Sequence, residues 1–257
     1  MLLAIDVGNT ETKLGLFANG SSSLVQNWRV TTESRRTADE YGVFLTQLFA
    51  AATLKTQDVK AVVIASVVPK LDQTLEEACA RFFGVKPKFF KSHRQKLMRV
   101  VTERPGEVGA DLVAAAIGAR DAYGSPLIVI SYGTATAFMA ISEQGEYLGV
   151  AIAPGISISI DALVGRTAKL PQIALEAPEQ TIGRNTISAL QSGIVYGFVG
   201  QTEGIVARMR AEMGVQAKVI ATGGLAGIVA DHTNVIAEVS PHLSLHGLRL
   251  FAAGASR

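Results

Sequence analysis

The sequence predicts an α/β protein in which one domain is present twice. Two similar segments, Ile5-Asp-Val-Gly-Asn-Thr10 and Ile130-Ser-Tyr-Gly-Thr-Ala135, align on Gly8 and Gly133 with an offset of 125 residues, about half of the 257-residue chain. Each ends one short apolar run and begins another, as a β-hairpin does. Strand patterns and helix patterns alternate after both segments, which is the order of a layered α/β domain. With 48% hydrophobic and 18% charged residues, the chain is apolar enough to fill two cores of roughly 130 residues each. The expected division is 1–123 and 124–257. Chance similarity of two glycine hairpins is the alternative to duplication.

In chain order, residues 2–7 (LLAIDV) and 13–17 (KLGLF) read as paired strands, Asn19-Gly20 as a turn, and 25–30 as a third strand. Thr37-Ala-Asp-Glu40 has the form of a capping box before the apolar helical positions Tyr41, Phe44, Leu45, Leu48 and Phe49. The run 61–68 (AVVIASVV) reads as a strand buried on both faces and stopped by Pro69. A helix over 71–83, a strand near 88–90 and an Ala-rich helix over 109–123 complete the first half, and Tyr123-Gly-Ser-Pro126 supplies a turn. The second half continues with a buried strand from Leu127, a strand over 145–153, a helix from about 157 to 169 and a loop through Pro171 and Pro178. A long helix over 186–213, a strand over 218–221 ending in Thr222-Gly223-Gly224, and a helical pattern over 242–253 follow.

Several function classes lose support. Twenty-four basic against 22 acidic residues give a net charge of +2, too little to suggest a nucleic-acid or anionic-membrane partner. The densest basic run, Lys91, His93, Arg94, Lys96 and Arg99, reads as a solvated edge. The single cysteine, Cys79, has no internal disulfide partner, and the N-terminus reaches Asp6 before a signal-type apolar segment forms, so the expected compartment is the cytoplasm. The longest charge-free apolar stretch, 147–160, is interrupted by Gly149, Pro154 and Gly155 and is too short to span a membrane.

The chemistry-bearing residues cluster at the glycine turns. Asp6-Val-Gly-Asn-Thr10 with Lys13 has the parts of a phosphate cradle: a carboxylate for a metal-bound water, a glycine for close backbone approach, and donors from Asn9, Thr10 and Lys13. Ordinary hairpin punctuation is the competing reading of that segment alone. Gly133-Thr134 and Gly223-Gly224, also after apolar strands, are what a nucleotide held by two domains would need. Asp111 opens a helix and reads either as a first-turn acid on the helix dipole or as a general base for a hydroxyl. Thr186 reads as a helix cap or a ligand donor. His242 and His246 have i, i+4 spacing without further zinc ligands and read as a solvated helix face. No G-x-S-x-G, Walker A or G-x-G-x-x-G motif occurs.

At these residues the chain resembles the type III pantothenate kinases, of the acetate and sugar kinase, heat-shock 70 and actin superfamily. Ten segments carry the likeness in order over nearly the whole length: Asp6-Val-Gly-Asn-Thr10, Arg36-Thr-Ala-Asp-Glu40, Ser66-Val-Val-Pro69, Gly109-Ala-Asp111, Gly133-Thr-Ala-Thr136, Pro154-Gly155, Gly165-Arg-Thr-Ala-Lys-Leu-Pro171, Ile182-Gly-Arg-Asn-Thr186, Gln191-Ser-Gly193 and Thr222-Gly-Gly224. The resemblance implies two ribonuclease H-like (actin-like ATPase) domains with an interdomain nucleotide cleft. It implies a homodimer that uses ATP and Mg²⁺, with K⁺ or NH₄⁺, to phosphorylate pantothenate to 4'-phosphopantothenate, the first step toward coenzyme A.

The resemblance also implies residue roles. Asp6, Val7, Gly8, Asn9, Thr10, Glu11, Thr12, Lys13 and Thr134 hold ATP, with Gly223 and Gly224 beside them, and Asp6 reaches Mg²⁺ through water. Asp111 accepts the hydroxyl proton, Gly109, Ala110, Asp111 and Leu112 line the pantothenate pocket, and Thr186 arrives from the partner subunit. The chain departs from the family pattern at three positions. Ser131 stands where an Asp ligates the monovalent cation, and Leu112 and Thr102 stand where an Arg and a Tyr face pantothenate. These departures imply either a kinase of weakened or altered specificity, or a non-catalytic paralogue whose Thr186 completes a standard subunit's site in a heterodimer.

Overall fold

The computed structural model describes residues 1–167 and 169–254, so Ala168 of the Gly165–Pro171 segment lies outside the described residues. Two mixed five-stranded sheets organise the chain. In the first, β1 (Leu2–Val7), β2 (Glu11–Phe17) and β3 (Leu24–Thr31) form an antiparallel meander, and β4 (Ala61–Ser66) and β5 (Lys88–Phe89) add in parallel, giving the order β3-β2-β1-β4-β5. The second sheet repeats this. The strands β6 (Leu127–Tyr132), β7 (Ala135–Ile141), β8 (Tyr147–Pro154), β9 (Lys218–Thr222) and β10 (Glu238–Val239) stand in the order β10-β9-β6-β7-β8 with the same parallel and antiparallel pairings. Five strands in one order twice, with β1 and β6 offset by the expected 125 residues, establish the duplication and remove chance as the alternative.

Local chemistry explains the helices that cover the first sheet. Helix α1 (Ala38–Ala51) begins at the expected capping box: the Thr37 side chain accepts from the Glu40 N–H, and the Glu40 carboxylate accepts from the Thr37 N–H at 2.7 Å. Helix α2 (Asp72–Phe83) stops at Gly84, which takes the left-handed conformation at φ +67°. Their apolar faces, with Tyr41, Leu45, Phe49, Leu75 and Cys79, bury Leu3, Ile5, Val7, Leu14 and Leu16 of the sheet. Alternation along β1 therefore sends Asp6 to the opposite face. Helix α3 (Ala110–Tyr123) is Ala-rich and buried over most of its length.

In the second sheet, α4 (Ile156–Gly165) ends before the expected 169, and α5 (Thr186–Met213) has the expected bounds. Ile128, Ile130, Phe138 and Val219 pack with Phe198, Val199 and Val206 of α5. The short elements α6 (Ala226–Ala230) and β10 carry too few residues to show a period in the sequence.

The chain divides into two compact units, Ala122–Pro241 and Met1–Asp121 together with the chain from His242. The last helix, α7 (Leu243–Gly254), packs on the first unit and not with the second half. Two glycines account for its docking. Gly247 lies so close to the Ala114 backbone, and Gly118 so close to the Leu243 backbone, that a Cβ at either would clash. Leu243, Leu245 and Leu248 are buried as α7 covers β1, β2 and β4. The helical period shows that such a face exists, but not which sheet it covers. Among the described residues, no helix is long and apolar enough to cross a membrane.

Candidate active site

Asp6, the last residue but one of β1, stands opposite Lys13 of β2, so both side chains share the sheet face that α7 covers. The carboxylate is 4% exposed. Its Oδ2 accepts a 2.6 Å hydrogen bond from Ser244 Oγ on α7 and lies 4.0 Å from Lys13 Nζ. Its Oδ1 is buried without a protein partner. An unpartnered buried carboxylate oxygen costs free energy unless something else meets it, which marks this atom as a ligand-facing one.

The turn after Asp6 is fixed by its backbone. Gly8 N–H donates to Glu11 C=O at 3.0 Å, and a Cβ on Gly8 would lie 2.8 Å from that oxygen. Thr32, which sequence reading does not single out, staples the turn: its Oγ1 donates to Gly8 C=O at 2.7 Å and its N–H to Thr10 C=O at 2.9 Å. Other candidates in the segment have structural partners. Glu11 pairs with Arg29 at 2.5 Å, the Thr12 hydroxyl meets that of Thr32 at 2.9 Å, and Val7 C=O accepts from Val67 N–H. Asn9 and Thr10 form the exposed tip and Lys13 is half-buried.

Asp111 stands in the first turn of α3, after Gly109 and the buried Ala110. A Cβ on Gly109 would come within 2.5 Å of Asp111 Oδ1, so glycine makes the room this carboxylate occupies. Burial, helped by the negative charge of Asp6, raises the Asp111 pKa from 3.8 to about 6, against the opposing pull of backbone N–H groups and Lys13. Asp111 stands in the first turn, where backbone N–H groups favour its charge, and burial outweighs them. Leu112 is half-buried, and the Thr102 hydroxyl is buried without a partner.

Within the second unit, Gly133 N–H closes its own hairpin on Ala135 C=O at 3.0 Å. Gly155 packs against the Gly133 and Thr134 carbonyls, and Gly223 (φ +99°) against the Tyr132 carbonyl, where neither position has space for a side chain. Thr134 is exposed, and Gly224 follows in the turn before α6. Ser131 pairs in register with Ala137 and Thr222, in the place that Asp6 takes in the first sheet. Thr186 is exposed at the start of α5, and the cap is Asn185, which accepts from Ser188 N–H at 2.9 Å. His246 packs edge-on against Phe17, and His242 and His246 are both half-buried. The solvated face expected for these histidines is therefore corrected by the docking of α7 on the first sheet.

These groups suit some cofactors and not others. Among the described residues, no cluster of three or more His, Cys, Asp or Glu could hold a metal by itself. Magnesium, which keeps several waters and binds through one or two carboxylates and substrate phosphates, fits the lone Asp6 Oδ1. A monovalent cation gains no charge from Ser131, so that residue does not fit the carboxylate role at its position.

The Type III pantothenate kinase family matches residues 2–208. A type III pantothenate kinase of Moorella thermoacetica is 50% identical over 250 residues, covering 97% of this chain and 98% of that one. Among solved structures, a Campylobacter jejuni protein assigned to the Baf family of transcriptional activators aligns with a TM-score of 0.62 at 17% identity, covering 99% of this chain and 98% of that one. An inorganic polyphosphate/ATP-glucomannokinase from Arthrobacter aligns at 0.52 and 14% identity over 99% and 98% of the two chains. The two structures share the actin-like ATPase fold with this chain.

Proposed function

Because the chain belongs to the type III pantothenate kinase family, we propose that it transfers the γ-phosphoryl group of ATP to the primary hydroxyl of pantothenate. The observation that carries this reading is Asp111, a carboxylate lifted to about 6 beside Asp6 and Lys13. It is ionised at neutral pH and basic enough to accept the hydroxyl proton as the oxygen attacks phosphorus and the bridging β-γ oxygen leaves. The Gly8 turn, with Asn9, Thr10 and Lys13, supplies donors for phosphate oxygens, and Asp6, through its unpartnered Oδ1, is the residue that would hold Mg²⁺. Bound Mg²⁺ supplies charge neutralisation on the phosphates. Thr134 and the Gly223-Gly224 turn of the second unit contribute to nucleotide binding, and Gly109, Ala110, Leu112 and Thr102 of the first unit face pantothenate.

The test is ATP- and Mg²⁺-dependent formation of phosphopantothenate by the purified protein, with and without K⁺ or NH₄⁺, beside Asp111→Asn. Product that disappears in the variant supports the reading, and with Ser131 in place we expect little response to the monovalent cation. A second reading rests on Leu112 and Ser131, which remove an Arg and an Asp that the family pattern has. In it the chain is a weak kinase, or a subunit that lends Thr186 to a complete paralogue. No product above the Asp111→Asn control would favour it.

We also propose that the protein is a cytoplasmic dimer. Ile152, Ile158, Ile182 and Ile187 of the second unit are 66%, 46%, 82% and 51% exposed, a set of aliphatic side chains suited to a second copy.

A further inference from the structure

We infer that Ser244 is a positioning residue for the Mg²⁺-facing oxygen of Asp6. This inference rests on the nucleotide-binding reading of the Gly8 turn and adds to it a residue 238 positions away in sequence, on a helix that no phosphate motif includes. A carboxylate at the end of a strand has two equivalent oxygens and a rotatable side chain. Here one oxygen is occupied. Ser244 Oγ donates to Oδ2 at 2.6 Å, the short distance expected of a hydroxyl on a charged acceptor, and Lys13 Nζ stands 4.0 Å from the same atom. The other oxygen, Oδ1, is buried and unpartnered. The Ser244 hydrogen bond, with the Lys13 charge on the same side, thus chooses which oxygen remains for a ligand and fixes its direction.

The support behind Ser244 is rigid. Asp6 and Ser244 are 4% and 7% exposed, so water does not compete freely for the bond. The α7 backbone on either side is pinned, through Leu243 against Gly118 and through Gly247 against Ala114. Gly15, two residues beyond Lys13 on the same sheet face, admits Leu245 where a Cβ would crowd it. The hydroxyl is therefore held by helix packing, not by a loop, as a group that orients a metal-facing carboxylate should be.

Binding separates this role from a structural one. The affinities of full-length wild type, Ser244→Ala and Ser244→Thr for ATP are measured calorimetrically with Mg²⁺ and again with EDTA, alongside thermal melts. Loss of the orienting bond is expected to weaken ATP binding about 10–100-fold with Mg²⁺. Metal-free ATP should stay within about twofold of wild type, and Thr, which keeps the hydroxyl, should restore the difference. Equal losses with and without Mg²⁺, or Mg-ATP binding by Ser244→Ala as tight as wild type, would overturn the assignment. Should Ser244→Ala fail to fold, Ser244→Cys, close in size and a weak donor, reads the same split. Wild type that binds ATP in neither condition would instead refute the nucleotide reading itself, and the role of Ser244 with it.

Discussion

Replacing Asp111 with Asn should stabilise the protein at neutral pH while it stops phosphoryl transfer. The folded protein holds the Asp111 proton more tightly than the unfolded chain, because the pKa rises from 3.8 to about 6. Below 3.8 the group is neutral in both states and costs nothing; the penalty grows as pH rises through this window and is complete above about 6. At 1.36 kcal/mol for each pH unit, the full penalty is about 3 kcal/mol, reduced to roughly 1–3 kcal/mol by solvent at the partly open carboxylate. Asn carries no charge to desolvate or to oppose Asp6. The variant should therefore melt several degrees above wild type at pH 8, at about 2–4 °C per kcal/mol for a chain of this size. The gap should narrow at pH 4.5, and wild-type turnover should rise with pH through about 6, following ionisation of the base. Melting curves at both pH values decide the matter: a variant no more stable than wild type at pH 8, or a gap independent of pH, would refute the account of Asp111.

Other outcomes follow from single side chains. Leu112→Arg should lower KM for pantothenate roughly ten- to a hundredfold if the acceptor carboxylate lies there, since a hydrogen bond to a charged group contributes about 1.5–3 kcal/mol; unchanged KM with product formed would place the acceptor elsewhere. Gly223→Ala puts a Cβ against the Tyr132 carbonyl at φ +99° and should destabilise the second unit by roughly 1–3 kcal/mol, read by urea unfolding. Thr37→Ala removes the α1 cap and should cost about 1 kcal/mol with turnover unchanged.

What the sequence discloses here is what lies close along the chain. The capping box at Thr37, the strand stopped near Pro69 and the hairpin glycines at 8 and 133 are local signals, and each stands where its residues place it. The second partner of each long-range contact is what periodicity does not carry. Ser244 sits between Leu243 and Leu245 in an apolar helical stretch, and the one available signal was a small polar residue on a face otherwise suited to burial. Thr32 follows a strand that alternates between half-buried and exposed positions and looks like any loop hydroxyl. Glu11 and Thr12 meet Arg29 and Thr32 diagonally across the hairpin, contacts that proximity along the chain does not show. The raised pKa of Asp111 comes first from burial and then from the charge of Asp6, more than 100 positions earlier in sequence, and neither can be read from local pattern.

Duplication also shows why the two glycine hairpins do not share one chemistry. Their strands have the same order and pairing, so Asp6 opposite Lys13 in the first sheet corresponds to Ser131 opposite Ala137 in the second. The first pair carries both charges and leaves one carboxylate oxygen free; the second carries none. A neutral serine hydroxyl does little to offset the dehydration of a divalent ion, whereas a carboxylate does so through charge. On this reading Mg²⁺ chemistry belongs to the first hairpin, while the glycines of the second serve close packing of its own backbone, as at Gly223 against the Tyr132 carbonyl. Ser131→Asp tests that division. Placed beside Ala137, with no lysine to offset it, the new acid should create a cation requirement in the turnover assay without changing the Mg²⁺ dependence of ATP binding. A shift in Mg²⁺ dependence would show instead that both hairpins serve the divalent ion.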